Sequence, residues 1–153
     1  MTSGFGRGWL FLTLALAAHV TDEALTGFLN VYNPTVIAMR QQWGWFLMPT
    51  FEFREWLVGL IVLVVVLLAL TPVAASGARW LRPIAYFLCV VMFLNGMGHT
   101  LGTIFGRTFA ASVRFPRPMP GFYSSPLLFA SSIYLWVQLR RTARGEGGIA
   151  VGA

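Results

Sequence analysis

The chain has 153 residues, of which 57% are hydrophobic and only 10% are charged, whereas soluble proteins carry roughly 45–50% apolar and about 25% charged residues. With a mean hydropathy of +0.70, this composition excludes a water-soluble globule and predicts an integral membrane protein. All eleven basic residues are arginines scattered between apolar segments, so the net charge of +6 favours membrane lipid as a partner and disfavours nucleic acid. The single cysteine, Cys89, excludes an intrachain disulfide and a thiolate metal cluster.

Four apolar stretches are long enough to cross a hydrocarbon core, which takes roughly 20 helical residues. In chain order they are residues 9–31, 55–74, 83–105 and 122–139. Between the first two, Asn33-Pro34 is a helix-start signal, and Arg40, Trp43 and Trp45 predict a short helix lying at the membrane interface. We therefore predict an all-α fold. Its single domain, residues 1–144, is a four-span transmembrane helical bundle with a short interfacial helix in the first connection, and residues 145–153 form a disordered Gly-rich tail.

The connections determine the expected orientation. Residues 75–82 form a short turn that makes the second and third spans antiparallel, and residues 106–121 contain three arginines and three prolines, which is typical of an extended loop. We expect these arginines to bind lipid headgroups or an anionic ligand; they are Arg107, Arg114 and Arg117. By the positive-inside rule, a margin of six arginines to five places both termini in the cytoplasm, and we expect a bacterial inner membrane.

The N-terminal segment has an alternative interpretation. Arg7 followed by Trp9–Ala18 resembles a signal peptide with small residues near a cleavage point. The helical pattern, however, continues from His19 to Val31 without a break. This continuity favours a complete membrane span.

Polar residues interrupt two of the apolar stretches. In the first span, His19, Asp22 and Glu23 form one contiguous patch within about a helical turn, and charges at the centre of a membrane helix need partners. In the third span, Asn95 and His99 lie on one helix face. A rise of about 1.5 Å per residue places both patches at the same depth, which predicts that they meet inside the bundle.

Two further features of these spans bear on the site. Glu55, at the start of the second span, is expected to reach the rim of the same site, although it and Glu52 also fit interfacial charges. Gly98 and Gly102 form a small-residue step that would let another helix or a flat cofactor approach closely.

The polar residues also carry a resemblance to a known family. The segment His19-Val20-Thr21-Asp22-Glu23 resembles the motif of the HXXEE family of small membrane proteins, and Asn95, His99 and Pro120-Gly121 resemble its later features. The resemblance covers about half of the chain and implies a shared membrane fold without naming a reaction. Asp22 stands where the family has Glu, which keeps the carboxylate but shortens the side chain.

The chemistry of this residue set favours a divalent metal. Two histidines with carboxylates are ligands for Zn, Fe or Mn, so we predict that His19, Glu23 and His99 bind the ion. Asp22, Glu23 or Glu55 would supply a further ligand or a general base, and Asn95 would orient His99 or a bound water. Haem is disfavoured because carboxylates adjoin one of the two histidines.

The predicted function is that of a metal-dependent membrane enzyme acting on a lipid-soluble substrate. Two alternatives remain open at this point. The carboxylates could instead accept protons or a cation in a non-enzymatic binding or transport protein, or the polar residues could form a hydrogen-bonded network that only fixes helix register.

Overall fold

The computed structural model describes residues 3–107 and 113–149, the last six of them by their backbone alone. The described residues form six helices and no strand. The helices are α1 (Gly4–Thr26), α2 (Leu29–Gln42), α3 (Phe53–Ala69), α4 (Thr71–Ala75), α5 (Leu81–Phe105) and α6 (Ser125–Ile149). The all-α prediction is confirmed for this part of the chain.

Helix α1 ends earlier than the sequence pattern predicts. The side chain of Ser3 caps its start, and Gly27 ends it in the left-handed conformation, with φ of 76°, which glycine adopts without steric cost. The prediction of an unbroken helix through Val31 is therefore wrong, and α2 begins at Leu29 with Pro34 inside it. Asn33 does not start the helix. Its side-chain amide instead exchanges two hydrogen bonds with the backbone of Phe51, which holds the 43–52 connection against α2.

Helix α1 lies at the centre of the bundle. It packs against α6 on one side and against α3 and α4 on another, and α5 packs mainly against α6. The Trp9 indole is 1% exposed and donates a hydrogen bond of 2.8 Å from Nε1 to the carbonyl oxygen of Leu67. Since a buried indole N–H needs a partner, this bond fixes the packing of α1 on α3.

Two helical segments are long and apolar enough to cross a membrane, namely Phe53–Ala75, which combines α3 and α4, and Leu81–Phe105, which is α5. Of an apolar stretch of 18 residues within each segment, only 11% is buried within the protein in the first segment and 28% in the second. Valines and isoleucines such as Ile61, Val62 and Val65 are about half exposed, so the two segments carry apolar faces that the rest of the described chain does not cover. The other two long helices, α1 and α6, do not reach the same apolar content, because they carry more polar and charged side chains. Helix length and composition alone therefore do not establish four spans.

The C-terminal helix is longer than predicted. The sequence predicts a disordered tail from residue 145, whereas α6 continues to Ile149. Residues 150–153 lie outside the described part of the chain.

Candidate metal site

Three buried side chains from α1 and α5 converge between these helices. His19 and Glu23 lie one turn apart on α1, and His99 faces them from α5; the three are 1%, 4% and 4% exposed. Glu23 Oε1 lies 3.1 Å from His99 Nε2 and 3.4 Å from His19 Nε2. The prediction that the polar patches of the first and third spans meet inside the bundle is confirmed.

Two of the facing atoms of this cluster, Glu23 Oε1 and His19 Nε2, make no well-formed hydrogen bond within the described part of the chain. Glu23 Oε1 nevertheless lies within ion-pair distance of both imidazoles. One ligand atom from each of the three residues can be chosen so that all lie within 4.8 Å of one another. Ligands held about 2.0–2.1 Å from a tetrahedral Zn²⁺ are separated by about 3.3 Å. The arrangement can therefore hold a metal ion.

A serine from the start of α6 determines which nitrogen of His19 faces the cluster. The Ser124 hydroxyl lies 2.7 Å from His19 Nδ1 and 2.8 Å from Asp22 Oδ2. Because a carboxylate only accepts hydrogen bonds, the hydroxyl donates to Asp22 and accepts from the Nδ1–H of His19. In the neutral ring this arrangement leaves the lone pair on His19 Nε2, which faces Glu23, as metal ligation requires.

The same contacts separate the two adjacent carboxylates. Asp22 also accepts a hydrogen bond of 2.9 Å from the backbone N–H of Ser124, directly before the first residue of α6. A helix N-terminus carries partial positive charge, and the Asp22 carboxyl lies at the N-terminus of α6. Glu23 turns the other way, toward the two imidazoles. Of the two carboxylates, Glu23 is the one left to bind a cation, and Asp22 acts on His19 through Ser124.

The turn at Gly121 lies so close to both histidine rings that it leaves no space for a side chain. Gly121 has φ of 84°, and a Cβ added there would lie 2.7 Å from His99 Cε1 and 3.0 Å from His19 Cε1. The two ring centroids are 4.8 Å apart. This spacing is too short for a porphyrin plane between the rings, which argues against axial haem ligation by this pair.

The structure places the remaining predicted residues around the cluster. A cavity of about 370 Å³, the inner cavity, is lined by His19, Glu23, Glu55, Asn95 and aromatic side chains including Tyr32. Glu55 is exposed and so lies in the part of this lining that opens to the outside. Asn95 Oδ1 is buried and has no hydrogen-bond partner among the described residues. Burial raises the pKa of the Tyr32 phenol, which donates a hydrogen bond to the Pro49 carbonyl.

The arginines of the third connection lie apart from the three ligand candidates. Arg107 and Arg114 are exposed and form an antiparallel backbone bridge. The exposed Arg117 lays its guanidinium against Gly106, the left-handed residue that ends α5. A cation at a helix C-terminus complements the helix dipole, which gives Arg117 a structural role.

The small-residue step of α5 does not receive a helix. A Cβ on Gly98 would meet no described residue within 4 Å, and one on Gly102 would meet Met119 and Phe115 from the following loop. The close approach to α6 is instead at Gly96, whose added Cβ would lie 3.2 Å from the Ser125 carbonyl oxygen. The interpretation of Gly98 and Gly102 as a helix contact is therefore wrong.

Sequence reasoning misses Ser124 as part of the site. The serines at 124, 125, 131 and 132 resemble ordinary packing residues of a membrane helix, and Ser131 does bond only to its own helix, at the Leu128 carbonyl. The available signal is local: Ser124 follows Pro120-Gly121 and precedes a helix, a position where serine often caps. Its pairing with Asp22, 102 residues earlier, has no signature in a single sequence.

Comparison of the chain with protein-family models, with curated proteins and with solved structures finds no match in any of the three. The resemblance to the HXXEE family thus stays a prediction.

Proposed function

We propose that this chain is an integral membrane protein that binds a divalent metal ion through His19, Glu23 and His99, and that it acts as a metal-dependent enzyme on a lipid-soluble substrate. The observation that carries the proposal is the convergence of these three buried side chains, with Glu23 Oε1 and His19 Nε2 lacking any other partner among the described residues. Two imidazoles and one carboxylate, buried and without a further protein ligand, form a donor set suited to Zn, Fe or Mn.

The number of ligands favours catalysis over a purely structural ion. Structural zinc sites have four protein ligands, whereas catalytic sites have three and leave a position for water or substrate. Among the described residues, three side chains make up the set, and the inner cavity adjoins two of them. A metal in such a site supplies Lewis acidity and lowers the pKa of bound water. Glu55, at the open side of the inner cavity, is the candidate proton acceptor.

The surface of the bundle supports membrane insertion. The Phe53–Ala75 segment and α5 expose large apolar faces that a membrane would cover. Helix α1 lies between α3 and α6, and its His19 and Glu23 are buried within the protein, so lipid insertion does not expose these two side chains. We propose that α1 and α6 complete a four-span bundle, with the half-buried Trp43 and the exposed Trp45, which stack on each other, at headgroup depth.

The first test is the metal content of the wild-type protein. The chain should be recovered from the membrane fraction, purified in neutral detergent without chelator, and should contain about one Zn, Fe or Mn per chain by elemental analysis. Chelation should lower the melting temperature, because an ion that binds only the folded state stabilises it, and adding back one metal should restore it. A protein recovered from the soluble fraction, or one without stoichiometric metal that is unaffected by added ions, contradicts the proposal and favours a protonated hydrogen-bonded network.

Ser124 provides a second test, because it contacts His19 and Asp22 without being a ligand. Ser124→Ala removes the acceptor that fixes the His19 tautomer, and we expect metal affinity to fall about 10–100-fold, as is typical when a partner of a metal-bound histidine is lost. Ser131→Ala is the control, since Ser131 is a buried serine within α6 that bonds to the Leu128 carbonyl and is not among the residues of the cluster. Competition titration with a chelating dye measures both affinities. Equal affinities in the two variants would show that Ser124 only packs.

A further inference from the structure

A second cavity is lined by His99. This outer cavity has a volume of about 430 Å³ and is bounded by α2, α5 and the loop that follows α5. Its lining includes His99 and Arg107, and it shares Phe28, Tyr32 and Asn95 with the inner cavity. A molecule in the outer cavity therefore reaches the wall of the proposed metal site.

The outer cavity is elongated along α5. Its lining follows this helix from Asn95 to Gly102 and continues to Arg107 beyond the helix end. From Asn95 to the last helical residue, Phe105, the helix rises about 15 Å. Within residues 3–107 and 113–143, no side chain fills the space beside Gly98, since a Cβ added there would meet none of their atoms within 4 Å. The space thus suits an extended chain better than a compact molecule.

The chemistry of the lining is apolar with one cation. Most of the wall consists of apolar side chains, among them Val31, Met39, Leu101, Phe115 and Met119. Among the described residues that line it, Arg107 is the one permanently charged side chain. A neutral lipid would leave this guanidinium without a counter-charge, and an inorganic anion would leave the apolar wall uncovered. An anionic head on an alkyl chain satisfies both parts of the cavity.

We infer that the outer cavity binds a single-chain anionic amphiphile, a long-chain carboxylate or phosphate monoester, with its head at Arg107 and its alkyl chain along α5 toward His99. We also propose that this amphiphile is the substrate of the enzyme, and this part of the inference rests on the proposed function. Binding itself needs only the outer cavity and Arg107. The other two arginines of the loop are not part of this site, because Arg114 is absent from the lining and Arg117 lies against Gly106.

The test uses the full chain in nanodiscs of zwitterionic phospholipid, so that bulk anionic lipid does not compete. A photoreactive hexadecanoate with a diazirine near its methyl end is crosslinked, and labelled peptides are mapped by mass spectrometry. Label should appear on α5 and α2. Hexadecanoate and hexadecyl phosphate should compete with the probe, whereas hexadecanol, acetate and inorganic phosphate should not.

Two pairs of variants locate the head and the chain. Arg107→Gln should lower specific labelling about tenfold, the usual loss for one charge-assisted hydrogen bond, while Arg114→Gln on the same backbone bridge should leave it unchanged. Gly98→Phe fills the cavity and should abolish labelling, whereas Gly98→Ala should retain it. Equal labelling of the Arg107→Gln and wild-type proteins, or competition by hexadecanol as strong as that by hexadecanoate, would overturn the inference.

Metal content, measured on the same samples, separates this inference from the proposed function. Wild-type protein that lacks metal but shows Arg107-dependent labelling would keep the anionic site and refute the metal centre. Stoichiometric metal with labelling that does not depend on Arg107 would keep the metal centre and refute the anionic site.

Discussion

Glu23→Gln should abolish stoichiometric metal binding while leaving the helical bundle folded. The substitution keeps the size of the side chain and removes the single carboxylate that faces His19 and His99. Two neutral imidazoles and an amide supply no negative charge to a divalent cation inside the bundle, where an uncompensated ion is costly. We expect the metal affinity to fall by more than about 100-fold, a larger loss than is typical when a residue that only hydrogen-bonds to a metal ligand is removed. His99→Ala, which deletes the ligand from α5, should have the same effect.

The matched control for this substitution is Glu52→Gln. Glu52 is an exposed carboxylate before the first residue of α3 and does not line the inner cavity. Elemental analysis should find wild-type metal content in this variant and almost none in Glu23→Gln, with equal helix content by circular dichroism. Full metal occupancy in Glu23→Gln would show that the ion, if present, is bound elsewhere.

Gly121→Ala should disrupt the site although Gly121 contributes no ligand atom. A left-handed backbone costs an L-residue about 1–2 kcal/mol, and the added methyl would lie 2.8 Å from His99 Nδ1 and 3.0 Å from His19 Cε1. Both distances are shorter than van der Waals contact, so the rings and the turn must move apart. We expect metal binding to be lost and the protein to be destabilised by at least about 2 kcal/mol in total, since the steric clash adds to the backbone strain.

Gly77→Ala isolates the steric part of this effect. Gly77 has φ of 80°, close to that of Gly121, and a Cβ there would meet nothing within 4 Å. This control should lose about 1–2 kcal/mol from backbone strain alone and keep its metal. Thermal denaturation and metal analysis of the two variants give the comparison. If Gly121→Ala binds metal as well as Gly77→Ala does, the turn does not position the histidines.

The success of the sequence prediction at the cluster has a simple physical basis. His19 and Glu23 are four residues apart on one helix, and helical periodicity alone places them on one face. Equal depth along α1 and α5 then brings His99 to the same level. Helix geometry is local, so it can be read from spacing in the sequence.

The incorrect sequence predictions concern residues whose partners lie elsewhere in the chain. Asn33-Pro34 is a helix-start signal by local rules, yet the Asn33 amide binds the backbone of Phe51 and lets α2 begin earlier. Gly98 and Gly102 suggest a helix contact. In the structure Gly98 has no described residue beside it, and Gly102 lies against the loop at Met119. These choices depend on which elements come together across the bundle.

The sequence by itself determined the all-helical class, the apolar character of α3 and α5, and the pairing of two polar patches at one depth, because composition and helical periodicity are properties of short segments. Only the tertiary structure decided that Asp22 and Glu23, adjacent in sequence, have different partners. Residues at successive helix positions point about 100° apart, so one carboxylate meets the N-terminus of α6 and the other meets two imidazoles. The different partners of these two carboxylates depend on where α6 begins. Ser124, which binds Asp22 there, lies 102 residues further along the chain, so only the packing of the helices brings the two residues together.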